Sequence, residues 1–101
     1  MMLQDVTADT FSEVLNTRFR LTLAESDVLE LELTKVEDLG TSAKQERFSL
    51  IFRGPTDRAL WQGTYSLEHD KLGTLDLFIV PIGREDEGMV YEAAFNRLKK
   101  V

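Results

Sequence analysis

The sequence predicts a mainly β fold: a small six-stranded antiparallel barrel or sandwich with one short N-terminal helix, built as a single β-rich domain over residues 1–101. Three observations predict it. Phe48, Leu50 and Phe52 alternate with Ser49, Ile51 and Arg53 at the strand period of two, and Gly54-Pro55 stops the run abruptly. The alternating runs Phe19-Leu21-Leu23 and Leu29-Leu31-Leu33 flank Ala24-Glu25-Ser26-Asp27, the pattern of an antiparallel hairpin. Further strand-length runs recur between turn signals, among them Asp70-Lys71-Leu72-Gly73.

The helix is expected over about residues 10–16. Thr10-Phe11-Ser12-Glu13 has the form of a capping box, Thr7 is an alternative cap, and Phe11, Val14 and Leu15 make one helical stripe. The first strand, about 17–24, turns Phe19 and Leu21 to one side and Arg18 and Arg20 to the other. The second, about 28–36, sets Glu30 and Glu32 across from those arginines on the solvated face. Residues 37–45 are polar and include Gly40, so they read as a loop. The third strand, about 46–53, is the expected centre of the fold, since Phe48, Leu50 and Phe52 contribute roughly 1.5–3 kcal/mol each when buried. Its apolar face is expected to meet the Leu29-Leu31-Leu33 strand and the Tyr65-Leu67 strand. Residues 54–62 form an irregular crossing in which Trp61 is expected to fold back on the core.

The fourth strand, about 63–69, turns Tyr65 and Leu67 inward, and the fifth, about 74–82, does the same with Leu75, Leu77 and Ile79. Phe78, Val80 and Ile82 make the opposite face of the fifth strand apolar too, so it calls for cover on both sides. The helix stripe is the intramolecular candidate for that cover, and another protein is the intermolecular one. Pro81 ends the ladder or marks an edge, and residues 83–88 read as an acidic turn. The last strand, about 89–96, alternates Met89, Tyr91, Ala93 and Phe95 against Val90, Glu92 and Ala94; a helix over 87–100 is the rival reading. Residues 97–101 read as a frayed tail.

Composition narrows the chemistry. The chain has no cysteine, which removes disulfides, thiol nucleophiles and Cys-ligated metals. A net charge of -6 with scattered basic residues argues against a nucleic-acid surface and against an anionic membrane. No apolar run approaches the roughly 20 residues of a membrane span, and residues 1–10 lack the pattern of a secretory signal. A cytoplasmic location is expected.

Catalytic constellations are not apparent. His69 is the one histidine, and its neighbours Glu68 and Asp70 point to the other face of a strand, so the three cannot converge as a metal or acid–base cluster. No G-x-S-x-G elbow is present. Glu85-Asp86-Glu87 fits no EF-hand spacing and reads as a solvated turn. Arg53 and Arg58 flank Gly54-Pro55 and could grip an anion, but the expected reading is that they pair with surface acids such as Asp57. No metal, no cofactor and no catalytic residue is expected.

The run from Phe48 to Pro55, then Gln62-Gly63-Thr64-Tyr65, Leu67-Glu68-His69, Leu72-Gly73, residues 77–83, and Gly88-Met89-Val90-Tyr91-Glu92-Ala93-Ala94-Phe95-Asn96 resembles a family of small, about 100-residue uncharacterised bacterial proteins. The likeness spans residues 11–96. Trp61 departs from it, standing where a smaller residue, often Pro, is expected. The resemblance implies a structural or assembly role, associated with phage-tail-like and tail-collar genes. It also gathers Arg53, Gln62, Glu68, His69, Glu92 and Asn96 inside motif strings, as a candidate polar network fixing the loops at one end, against the alternative that each satisfies its own turn.

The function expected is therefore a non-enzymatic structural or interaction module, with a protein partner or self-association, in the cytoplasm or assembled into a phage-tail-like particle. Its candidate surface is Phe78, Val80, Ile82, Trp61, Arg53 and Arg58. The alternatives are a small-molecule-binding β-barrel, with Trp61, Tyr65 and Tyr91 lining a mouth, and an enzyme using carboxylates.

Overall fold

The computed structural model describes residues 6–25 and 27–98. They run α1 (Ala8–Glu13), β1 (Arg18–Ala24), β2 (Asp27–Thr41), β3 (Gln45–Gly54), β4 (Gly63–His69), β5 (Gly73–Glu85) and β6 (Gly88–Leu98). The expected mainly β, six-stranded antiparallel fold is what forms. The order β1-β2-β3-β6-β5-β4 closes on itself as a barrel, β4 returning to β1 through Arg20↔Glu68 and Leu21↔Leu67. Closure removes open sheet edges where the ring is complete.

Two long strands divide their partners. β2 pairs with β1 up to Glu32 and with β3 from Glu32 onward. β5 pairs with β4 up to Ile79 and with β6 from Val80 onward. The ends of β2 and β6 and the start of β3 therefore continue past the ring as a three-stranded extension. The helix packs against the apolar side of this extension. The Phe11 ring lies 6.0 Å from Phe48 and 5.9 Å from Phe95, and those two rings stack at 4.5 Å. The remaining interior is filled by inward strand positions, including Phe19, Leu31, Leu50, Phe52, Leu67 and Leu77, all essentially inaccessible to water. Phe19 and Phe52 meet edge to face at 5.3 Å, a favoured aromatic geometry.

Several boundaries differ from the sequence reading, each for a local reason. The helix spans 8–13 rather than 10–16, because Thr7 is the cap: its hydroxyl accepts from the Thr10 N–H, and Thr10 returns the bond to the Thr7 backbone. Asn16, at φ 66°, takes the left-handed conformation that ends the turn, which a short polar side chain tolerates. Residues 37–41 are strand rather than loop. Register shifts between Leu33 and Lys35 and between Asp38 and Gly40 reset the alternation, so the apolar pattern vanishes while the ladder continues. Pro81 does not end β5; a shift between Pro81 and Gly83 absorbs it and the strand runs to Glu85.

The ladder from Gln45↔Leu98 to Gly54↔Met89 makes β6 a strand, against the helical rival, and takes Arg97 and Leu98 out of the expected tail. The end of that tail, 99–101, lies outside the described residues. In the ladder β3 is flanked by β2 and β6, and the Tyr65-Leu67 strand pairs with β1 and β5; Leu67 joins Phe48, Leu50 and Phe52 in the same core cluster. Trp61 does not cap the core: it is 87% exposed, and Leu60 is buried in its place. The Leu60 N–H donates to the Tyr91 hydroxyl at 2.9 Å, so the buried phenol fixes which residue of the crossing turns inward.

Candidate functional site

β5 is the strand that brings candidate surface residues together. Its buried side is Leu75, Leu77 and Ile79. On the outer side Phe78 is 53% exposed, Ile82 at the irregular step is 52% exposed, and Val80 is half-buried. Phe78 stands across from Thr64 of β4 and Val80 across from Glu92 of β6. α1 packs by the Phe48–Phe95 stack, so the intramolecular cover considered for this face goes elsewhere. Trp61 stands two residues before β4, its carbonyl accepting from the Tyr65 hydroxyl at 2.6 Å. Tyr91 is inside the core with its hydroxyl bound to Leu60, so Trp61, Tyr65 and Tyr91 do not line one mouth.

Arg53 and Arg58 belong to a different side. Arg53 donates to Glu32 at 3.0 Å and to Glu87 at 2.6 Å. Its pKa is raised above the ordinary guanidinium value, first by the hydrogen bond to Glu32. Arg58 holds both carboxylate oxygens of Asp27, with 2.8 Å to one of them; the Asp27 pKa is lowered chiefly by that bond and the Arg58 pKa raised by it. The arginines do pair with surface acids; the hydrogen-bonded partners are Glu32, Glu87 and Asp27, while Asp57 acts on Arg58 only as a nearby charge. A hollow of about 400 Å³ beside Arg53 is walled by Val28, Glu30, Glu32, Pro55 and Glu87. Carboxylates crowd this hollow, and the Arg53 guanidinium is already engaged by two of them, which disfavours it as an anion grip.

The candidate polar network resolves into separate contacts. Glu92 accepts from buried Ser49 at 2.6 Å. Asn96 accepts from the Gln45 amide at 2.5 Å. Glu68 lies 3.9 Å from Arg20, which pairs more closely with Asp70 at 2.9 Å. Gln62 is exposed. His69 turns the other way and is buried, with its ring 4.5 Å from that of Phe19. Glu68 and Asp70 thus share Arg20 on the surface while His69 points inward, as alternation along a strand requires. Burial lowers the His69 pKa, with smaller opposing and reinforcing effects from Asp70, Arg20 and Lys71. Among the described residues no group of three or more His, Cys, Asp or Glu side chains is placed to hold a metal ion. No helix among them is long and apolar enough to cross a membrane.

Sequence reasoning missed Thr17, Glu32 and Glu87, the partners that engage His69 and Arg53. A hydrogen-bond partner 52 or 34 positions away leaves no local signal. Only Glu32 was foreseeable, as an outward residue of the first hairpin.

No curated protein and no solved structure matches the chain. Over residues 6–95 it matches the family described as Domain of unknown function (DUF6916), and the chain belongs to that family.

Proposed function

We propose that the chain is a non-enzymatic structural or interaction module that docks a protein through the outer face of β5. The observation that carries this reading is the half exposure of Phe78 and Ile82 on the strand whose inward residues Leu75, Leu77 and Ile79 are buried. Side chains of that size contribute most when covered, and neighbouring exposed apolar side chains on one strand offer such a face to a partner. The filled interior supports a scaffold role over that of a ligand-holding barrel. The motif likeness read from the sequence supplies a setting for the proposal: an accessory or assembly component of a phage-tail-like system.

The test compares the wild type with a Phe78→Ser, Ile82→Ser double variant, both purified from the native host and sized by light scattering. Both positions are exposed, so the variant should melt within about 0.5 kcal/mol of the wild type. The expected result is a defined complex or oligomer that the variant loses. A strict monomer that co-purifies with the same proteins in both forms overturns the proposal.

A further inference from the structure

We infer that the occupant of this face is a cationic amphipathic segment of a partner protein, one in which apolar side chains alternate with Lys or Arg; the inference rests on the docking reading above. Its basis is the charge around the apolar stripe. The outward residues of β4 are Thr64, Ser66 and Glu68, and across from them on β5 stand Phe78, Asp76 and Thr74. Glu92 stands beside Val80 on the other flank. The stripe is thus edged by Asp76 and Glu92, with Glu68 farther along β4 beside Arg20. Lys71, in the turn between the two strands, is the single Lys or Arg from Ala59 to Gly83. Arg84 is the next cation along β5, and it is followed at once by Glu85, Asp86 and Glu87. On the neighbouring strands Arg20 is taken up by Glu68 and Asp70, Arg18 by Glu30 and Lys35 by Glu37, while Arg53 and Arg58 are held by Glu32, Glu87 and Asp27.

A partner covering Phe78 and Val80 must bring its own groups close to the Asp76 and Glu92 carboxylates. A neutral or acidic partner would strip their water without replacing it, whereas Lys or Arg returns a charge-assisted bond. A second copy docked face to face is disfavoured for the same reason. A two-fold contact would bring two copies of the same Asp76 and Glu92 rim into one interface, acid against acid. β5 is hydrogen-bonded on both sides, by β4 and then by β6, so the segment lies on the face and adds no strand.

The experiment measures fluorescence anisotropy of a short labelled peptide of alternating Leu and Lys, titrated with the full chain. Peptides of equal length alternating Ser with Lys, and Leu with Glu, serve as comparisons. Both should bind about tenfold more weakly, or less, since each lacks one half of the recognition. Phe78→Ser should weaken the Leu/Lys peptide by about tenfold, the cost of one large apolar contact. Asp76→Asn and Glu92→Gln should weaken it and flatten its salt dependence, while Glu37→Gln on β2 leaves it unchanged. Equal binding of the Ser/Lys peptide, or indifference to Phe78→Ser, overturns the inference. A Leu/Glu peptide bound more tightly in a Phe78-dependent way overturns the partner's charge and leaves the docking face standing. Self-association abolished by Phe78→Ser, with no peptide bound, does the same.

Discussion

The Nε2–H of His69 donates to the hydroxyl of Thr17 across 2.8 Å, tying the end of β4 to the linker that follows α1. The proton can be placed because Nδ1 faces two donors, the backbone N–H groups of Lys71 at 3.0 Å and Leu72 at 3.4 Å. Nδ1 must therefore accept, which leaves the neutral ring with its hydrogen on Nε2. The Thr17 hydroxyl passes its own proton to the Val14 carbonyl at 2.5 Å. One imidazole thus joins the helix end, the β4–β5 turn and the Phe19 side of the core.

This arrangement predicts an acid-sensitive component of stability. Burial lowers the folded-state pKa of His69 from its ordinary value near 6.5, so as pH falls the unfolded chain takes up the proton first. The contribution is complete above that value and is lost as pH falls from it toward the lowered folded value. Denaturant unfolding of the wild type should show stability dropping from pH 7.5 to about 5.5, above the range where carboxylates titrate. His69→Gln should flatten this slope, and an equally steep slope in that variant contradicts the assignment.

Thr17→Val keeps the size of the side chain but removes both hydroxyl bonds. It leaves the buried Nε2–H without its acceptor and should cost about 1–3 kcal/mol in urea unfolding. Thr17→Ser, which keeps the hydroxyl, should recover most of that loss. Similar costs for the two variants would show that the methyl group matters and the bond does not.

Trp61 and Tyr91 should rank opposite to their apparent importance in the sequence. Trp61→Ala removes a large side chain that is 87% exposed and should change stability by less than about 0.5 kcal/mol. Tyr91→Phe removes one oxygen, leaves the Leu60 N–H unpaired in a buried site, and should cost about 1–3 kcal/mol. Thermal melts of the two variants give the order directly.

Two glycines of the β5–β6 region should separate in the same way. An added Cβ at Gly88 would run into the Gly54 carbonyl oxygen and come within 2.7 Å of Arg53 Cγ, whereas at Gly83 it would meet nothing within 4 Å. Gly88→Ala should therefore cost about 1–3 kcal/mol from overpacking. Gly83→Ala should be close to neutral. Equal melting temperatures for the pair would mean that β3 and β6 do not approach each other as closely as the ladder requires.

The hairpin of β1 and β2 and the strand at Phe48 were legible because regular alternation survives wherever one face is buried and the ladder has no irregular step. The extension formed by β2, β3 and β6 was not. Its bulges at Thr34 and Leu39 shift the phase, and charged residues such as Lys35, Glu37 and Asp38 conceal a strand whose far edge is solvated. The apolar outer face of β5 was legible for the opposite reason, since Phe78, Val80 and Ile82 break the alternation that solvent would demand. The apolarity of Trp61 gave no sign of its exposure, because the choice between Leu60 and Trp61 is made by the Tyr91 hydroxyl, 31 positions away. Arg53 and Arg58 were expected to pair with surface acids, and only the three-dimensional arrangement supplied Glu32, Glu87 and Asp27 as the partners.

Site-specific photocrosslinking in the native host tests the docking face most directly. A photoreactive phenylalanine replaces Phe78 in one variant and Glu37, on the outer side of β2, in another. The account predicts one defined adduct from position 78, absent from position 37 and lost when Ile82→Ser is added. No adduct from position 78, or the same pattern from both positions, would contradict it.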